Sequence, residues 1–160
     1  MPIVKGFDFK TVESFFAFDP GGTTGFAHCK VDRSTNTLIV VEHSEFPNWT
    51  RLESLLARKK EGHVVVYETF TNLTTDANLI PVEVIGVLKY LTNKKGIFRF
   101  PQKPNERKCI EKIYPAVMQK ISSHSGDAVK HAIYFAVFRL GMINCKIDIA
   151  CKRKRKLPRC

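Results

Sequence analysis

Three carboxylates and one histidine stand at places in the sequence from which a fold could gather them. Asp19 ends the apolar run Phe15-Phe16-Ala17-Phe18 and is followed by Pro20-Gly21-Gly22. Glu68 ends a second such run, Val64-Val65-Val66-Tyr67. Asp127 lies in the first turn of a helix announced by Ser122-Ser123-His124-Ser125-Gly126, and His124, three positions earlier, shares its face. An acid at the dry end of a strand is costly unless a metal or a set of backbone donors satisfies it. If the two apolar runs are neighbouring parallel strands, Asp19 and Glu68 end about 5 Å apart. Acids drawn from two strand ends and one helix start form an oxygen-rich cage for hard cations. Two ions held there stabilise the attacking and leaving oxygens of an in-line phosphoryl displacement. Without metal the like charges repel and raise one another's pKa, so the metal-bound form is the expected working state. The plainer reading of the first segment is an Asp-Pro-Gly turn whose acid bonds to its own loop.

The elements that must position these groups follow from hydrophobic periodicity. A buried strand over 15–18 turns at the Gly pair into a second strand, Thr24 to Cys29, and the β-branched run Thr37 to Val41 adds a third, making a meander. Leu52, Leu55 and Leu56 predict a helix from Trp49 to Lys60, stopped by Gly62. His63 to Glu68 is apolar throughout, as a central strand between two covering layers is. After a polar loop over 71–78, Pro81 opens a helix with Val84, Ile85, Val87, Leu88 and Leu91 on its apolar face, and Lys94-Lys95-Gly96 closes it. A short strand, Ile97 to Pro101, leads into a basic loop over 102–108 and a helix from about Glu106 to Gln119, interrupted by Pro115. In the last helix Ala128, Ala132, Ala136 and Leu140 make a stripe of small residues that lets it lie close to a sheet and hold Asp127 near the strand-end acids. His131 is one turn further along that face, suited either to a phosphate or to a solvent-facing cap.

A chain of 160 residues, 44% hydrophobic and 26% charged, makes one globular domain. The expected division is a domain over 1–145 and a basic tail over 146–160. No signal-peptide-like stretch and no span of membrane length is present, so an intracellular, cytoplasmic protein without membrane contact is expected. The five Cys show no metal-ligand spacing and read as reduced thiols. Net charge is +11, and Lys152, Arg153, Lys154, Arg155, Lys156 and Arg159 crowd the end. That distribution suits a polyanion partner, although such a tail also serves as a solubilising end or a localisation signal.

Phe18-Asp19-Pro20-Gly21, Val66-Tyr67-Glu68 and His124-x-x-Asp127-Ala128-x-x-His131-Ala132, in this order and strand context, resemble the RuvC-like Holliday junction resolvases of the ribonuclease H-like superfamily, in particular the short phage-type members. The resemblance runs from about Phe15 to Leu140. It implies an α/β fold with a mixed five-stranded sheet and helices on both faces. It implies that Asp19, Glu68 and Asp127 bind two Mg²⁺ ions and that water activated there attacks a DNA phosphodiester. His124 stands where many relatives place an Asp; it can ligate metal or move a proton, which makes Mn²⁺ a second candidate. Branched DNA, above all four-way junctions, is the implied partner, and a homodimer the implied assembly, since symmetric cutting needs two sites related by a two-fold axis. The helix from Pro81 to Leu91 is the candidate interface. Phe70 is the candidate aromatic wedge, and Lys59, Lys60, Lys94, Lys95, Lys103, Arg107, Lys108 and His131, with the tail cations, are the candidate DNA contacts. The length suits a phage or another mobile element, whose protein would work in the host cytoplasm.

Other functions share parts of this pattern. A flap or RNA–DNA hybrid nuclease would use the same acids, and a non-catalytic module binding branched DNA would use the same cations. The turn Asp19 to Gly25 also suits an actin-like ATPase or sugar kinase, but 160 residues leave no room for the second lobe that closes over a nucleotide, so no nucleotide cofactor is expected.

Overall fold

The computed structural model describes residues 6–59, 63–70, 79–116 and 123–150. After a 3₁₀ turn at Phe9–Thr11 come β1 (Ser14–Asp19), β2 (Thr23–Asp32), β3 (Thr37–Pro47), α1 (Leu52–Ala57), β4 (Val64–Glu68), α2 (Ile80–Lys95), β5 (Phe98–Gln102), α3 (Pro104–Ile113), α4 (Ser123–Phe138) and β6 (Lys146–Ile149). They build one six-stranded sheet in the order β5-β4-β1-β2-β3-β6. β1, β2 and β3 form the expected antiparallel meander, while β4 joins β1, β5 joins β4 and β6 joins β3 in parallel.

Strand alternation divides the core in two. Phe15, Ala17, Ala27, Cys29, Val64 and Val66 face α3 and α4, packing on Ile110, Ala128, Ala132, Ile133, Phe135 and Ala136. Phe16, Phe18, Phe26, Val65 and Tyr67 face α1 and α2, packing on Leu52, Leu55, Leu56, Val84 and Leu88. Helices therefore cover both faces, and the small residues of α4 are fully buried, as the close approach requires. Five phenylalanines, Phe15, Phe16, Phe18, Phe26 and Phe135, are completely enclosed, each worth about 2–3 kcal/mol of burial.

Several boundaries differ from the sequence expectation. The sheet has six strands rather than five, because Lys146–Ile149 pairs in parallel with Thr37–Val40. The folded body thus continues into the stretch expected as the start of the tail; a four-residue edge strand carries too few apolar residues to stand out beside so basic an end. β3 runs to Pro47 rather than Val41, because a bulge at His28/Cys29 lets its polar half keep pairing with β2. α1 is only six residues long, since Trp49 to Arg51 are used in turns. α3 starts at Pro104 and ends at Ile113, where a helix over 106–119 was expected. Pro104 fits the first helical turn, where its missing N–H costs nothing, and the Glu106 carboxylate accepts a hydrogen bond from the Lys103 amide at 2.9 Å. α2 closes as expected at Gly96, whose φ of 65° makes the left-handed C-cap. The Ser122 cap, Gly62, Lys60, the 71–78 loop and the tail cations lie outside the described residues.

Candidate active site

One transverse row of the sheet builds the site. Phe18 pairs with Tyr67, so Asp19 and Glu68 are the next positions of β1 and β4. Glu68 pairs with Gln102, Asp19 with Gly25, and Gly25 with Glu45. Gln102, Glu68, Asp19, Gly25 and Glu45 therefore cross five strands in register, all on the face that carries α4. The first turns of α4 lie over this row. The backbone amides of His124 and Ser125 donate to Glu45 Oε1 at 3.0 and 3.3 Å, so a carboxylate from β3 satisfies the open amides of the helix start and meets the positive end of its dipole. At Gly25 the helix touches the sheet so closely that a Cβ would overlap the His124 carbonyl.

This seating brings the predicted residues together. His124, half-exposed, has Nδ1 3.8 Å from Asp19 Oδ2. Asp127 meets Arg107 Nη1 at 3.5 Å and Lys130 Nζ at 3.1 Å, and Lys130 also reaches Glu111 at 2.7 Å. Glu68 Oε2 accepts from Arg107 Nε at 2.8 Å and from His131 Nε2 at 2.6 Å. The other ring nitrogen of His131 lies 2.7 Å from Gln102 Oε1.

Charges in the cluster bias one another. Burial first, then the neighbouring Glu68 and Asp127 carboxylates, push Asp19 up to about 7, although Arg107 and Lys130 pull the other way. Burial would also raise Glu68, but hydrogen bonds from His131 and Arg107 outweigh it and hold Glu68 below its usual value. Among the described residues no three His, Cys, Asp or Glu side chains close on one ion-sized point, since Arg107 and Lys130 engage the carboxylate oxygens. The donor set still suits a hard cation: Asp19, a buried acid whose negative charge is costly there, stands with the carboxylates of Glu68 and Asp127 and the imidazole of His124. Mn²⁺ binding is accordingly expected to strengthen as pH rises through about 7, where Asp19 loses its proton. Calorimetric titration at pH 6 and pH 8 measures this, and equal affinity at both would remove Asp19 from the ligand set.

The candidate DNA contacts separate into groups. Phe70 is exposed two residues beyond Glu68, and Lys94, Lys103 and Lys108 are exposed cations. Lys59 lies on the α1 face, its Nζ 4.3 Å above the Phe16 ring and 3.5 Å from His28, while Lys95 donates to the Leu56 carbonyl at 3.2 Å. Arg107 is not on an outer loop: α3 turns it onto Glu68 and Asp127. His131, expected at a phosphate or a solvent face, is fully buried and does neither. Four site residues escape sequence reasoning: Glu45, Gln102, Glu111 and Lys130. Lys130 carries a signal in its spacing from Asp127, whereas the other three depend on strand register and helix packing.

The fold matches the ribonuclease H-like fold of RuvC. RuvC of Thermus thermophilus bound to a Holliday junction superposes with a TM-score of 0.63 at 14% identity, over 84% of this chain and 99% of that one. The fowlpox virus Holliday junction resolvase gives a TM-score of 0.51 at 13% identity, over 80% and 98% of the two chains. Neither a family model nor a curated protein matches the sequence.

Proposed function

We propose that this protein is a divalent-metal-dependent endonuclease that resolves four-way DNA junctions by hydrolysing phosphodiesters symmetrically as a homodimer. The observation that carries the reading is the convergence of Asp19, Glu68, Asp127 and His124 at the ends of two central strands of a RuvC-type sheet. Those four residues would hold Mg²⁺ or Mn²⁺, which when bound supplies Lewis-acid stabilisation of the phosphoryl charge and an activated water. The chain's own cations do the rest. Arg107, one-fifth exposed and shared between Glu68 and Asp127, is placed to exchange a carboxylate for a scissile phosphate. Lys130 holds Asp127 from behind. His124 stands at the open side of the site, as a fourth ligand or a proton carrier. Phe70, at the exit of β4, is the group for opening the junction, and Lys94, Lys103, Lys108 and the tail cations supply backbone contacts that carry affinity without sequence choice. The outer side of α2, with Val82 and Tyr90 exposed, is the surface proposed for dimer contact. The junction-bound RuvC structure supports the choice of substrate by its fold alone. An intracellular site of action goes with that substrate.

The deciding test is cleavage of an end-labelled four-way junction with Mg²⁺, Mn²⁺ or EDTA, beside a flap, a plain duplex and an RNA–DNA hybrid. Paired symmetric nicks that need metal are expected. Cleavage of the flap or hybrid in preference to the junction would keep the site and replace the substrate. Tight junction binding without cutting in either metal would turn the reading to a non-catalytic DNA-binding module.

A further inference from the structure

The buried residue that the mechanism above leaves unused is His131. It has no solvent exposure, and its ring is pinned at both ends, by Glu68 at 2.6 Å and Gln102 at 2.7 Å. Gln102 is buried as well, and its Nε2 has no hydrogen-bond partner among the described residues. Such an orphan is uncommon and asks for a cause. Glu68 is paired with the Arg107 guanidinium and accepts only, so Nε2 of His131 must carry the hydrogen of the 2.6 Å bond. In a neutral imidazole that leaves Nδ1 as an acceptor, facing an amide oxygen that can only accept. The two ends of an amide fill the same space. Turning Gln102 by 180° presents its –NH₂ to Nδ1, which gives the bond a donor and leaves the amide oxygen, in place of the amine, at the unpartnered position.

We infer that Gln102 and His131 form a positioning pair for Glu68, in which the amide holds the ring in its Nε2–H tautomer and the ring holds Glu68 Oε2. His131 and Arg107 both bond to Oε2, so the pair turns Oε1 out as the oxygen offered to an incoming cation. This is the arrangement by which an outer hydrogen-bonding group orients a ligating side chain. Here the outer group comes from α4, four residues past Asp127, so one helix both supplies an acid and aims a second one on β4. Gln102 sits beside Glu68 in the β4–β5 register, and the pair therefore needs no loop to hold it. The inference rests on the metal-binding reading of Glu68.

Two measurements test it, and neither uses cleavage. Long-range ¹H–¹⁵N spectra of histidine-labelled protein, with the His131 signal identified by its loss in His131→Gln, should show a ring protonated at Nε2 and bare at Nδ1. Gln102→Leu, which keeps volume but donates nothing, should broaden or move that signal. Mn²⁺ titration followed by electron paramagnetic resonance should show His131→Ala and Gln102→Leu weakening binding by about 10–100-fold. His131→Gln, whose amide can still donate to Glu68, should recover part of that loss. Thermal unfolding checks that each variant folds. A ring protonated at Nδ1, or a folded Gln102→Leu with unchanged spectrum and Mn²⁺ affinity, would overturn the inference. Failure of the native protein to bind Mn²⁺ with the expected ring spectrum intact would instead overturn the metal reading while leaving the tautomer lock in place.

Discussion

Asp19→Asn is expected to leave junction binding nearly intact, to cut cleavage by at least about 1000-fold, and to make the metal-free protein more stable at pH 8. The rate loss corresponds to roughly 4 kcal/mol of lost charge stabilisation, the scale of one metal-ligand carboxylate. The gain in stability follows from the direction in which burial and the neighbouring acids move Asp19. Its carboxyl is raised from 3.8 to about 7 in the fold, so the folded protein holds that proton more tightly than the unfolded chain does. The associated stability is fully present below pH 3.8 and is lost as pH rises through about 7. At pH 8 the ionised acid costs the fold a few kcal/mol, since each tenfold gain in proton affinity is worth about 1.4 kcal/mol. Asn removes that cost, and its gain should be smaller at pH 5 and vanish only below pH 3.8, where the unfolded chain holds the proton too. Glu68→Gln should abolish cleavage equally but lower stability, because Glu68 is held below its usual value by bonds to His131 and Arg107 that Gln cannot match. Its contribution is present above pH 4.5 and fades as pH falls through the lower folded value. Asp127→Asn should abolish cleavage as well. Thermal melts at pH 5 and pH 8, beside single-turnover junction assays, read both effects. Near-normal cleavage by any of the three would remove that residue from the metal set, and a destabilised Asp19→Asn at pH 8 would refute the repulsion.

Gly25→Ala should be among the most damaging single-methyl additions in this protein. The new Cβ would overlap the carbonyl of His124 and crowd the Ser125 amide, both backbone atoms that no side-chain rotation can clear. Either α4 lifts from the sheet or β2 bends, and overpacking of this kind costs about 1–3 kcal/mol or more. Lifting α4 also draws the His124 and Ser125 amides from Glu45 and moves His124 and Asp127 off Asp19. A melting temperature lower by several degrees is expected, together with cleavage reduced beyond what the lost stability explains, because a displacement of about 1 Å at reacting groups can cost about 100-fold. Glu45→Gln, which keeps an acceptor oxygen for the two amides, should do far less. Wild-type stability and cleavage in Gly25→Ala would show that the helix does not sit on this glycine.

Much of this protein is legible in the residues themselves. The apolar runs that end in Asp19 and Glu68 marked central strands because a strand buried on both faces must be apolar throughout. The alanines of α4 marked a helix lying close to a sheet, and Gly96 marked a helix end, because each reflects a local steric rule. Those rules placed three acids and His124 at element ends from which a fold could gather them. They could not give the register of β5 or the far half of β3, so Gln102 and Glu45 carried no sign that they stand in line with Glu68 and Gly25. Lys146–Ile149 was hidden for a related reason, since an edge strand needs a partner more than a pattern. The fate of the charges was also undecided: helix packing turned Arg107, a candidate phosphate contact, onto two acids, and buried His131, read as suited to a phosphate or a solvent-facing cap, between Glu68 and Gln102. Sequence by itself determined which side chains can bind a cation, because that depends on residue type and element end. Tertiary structure alone decided which of them are aimed, paired or buried, because those properties come from contacts between residues as distant in the chain as Asp19 and His124.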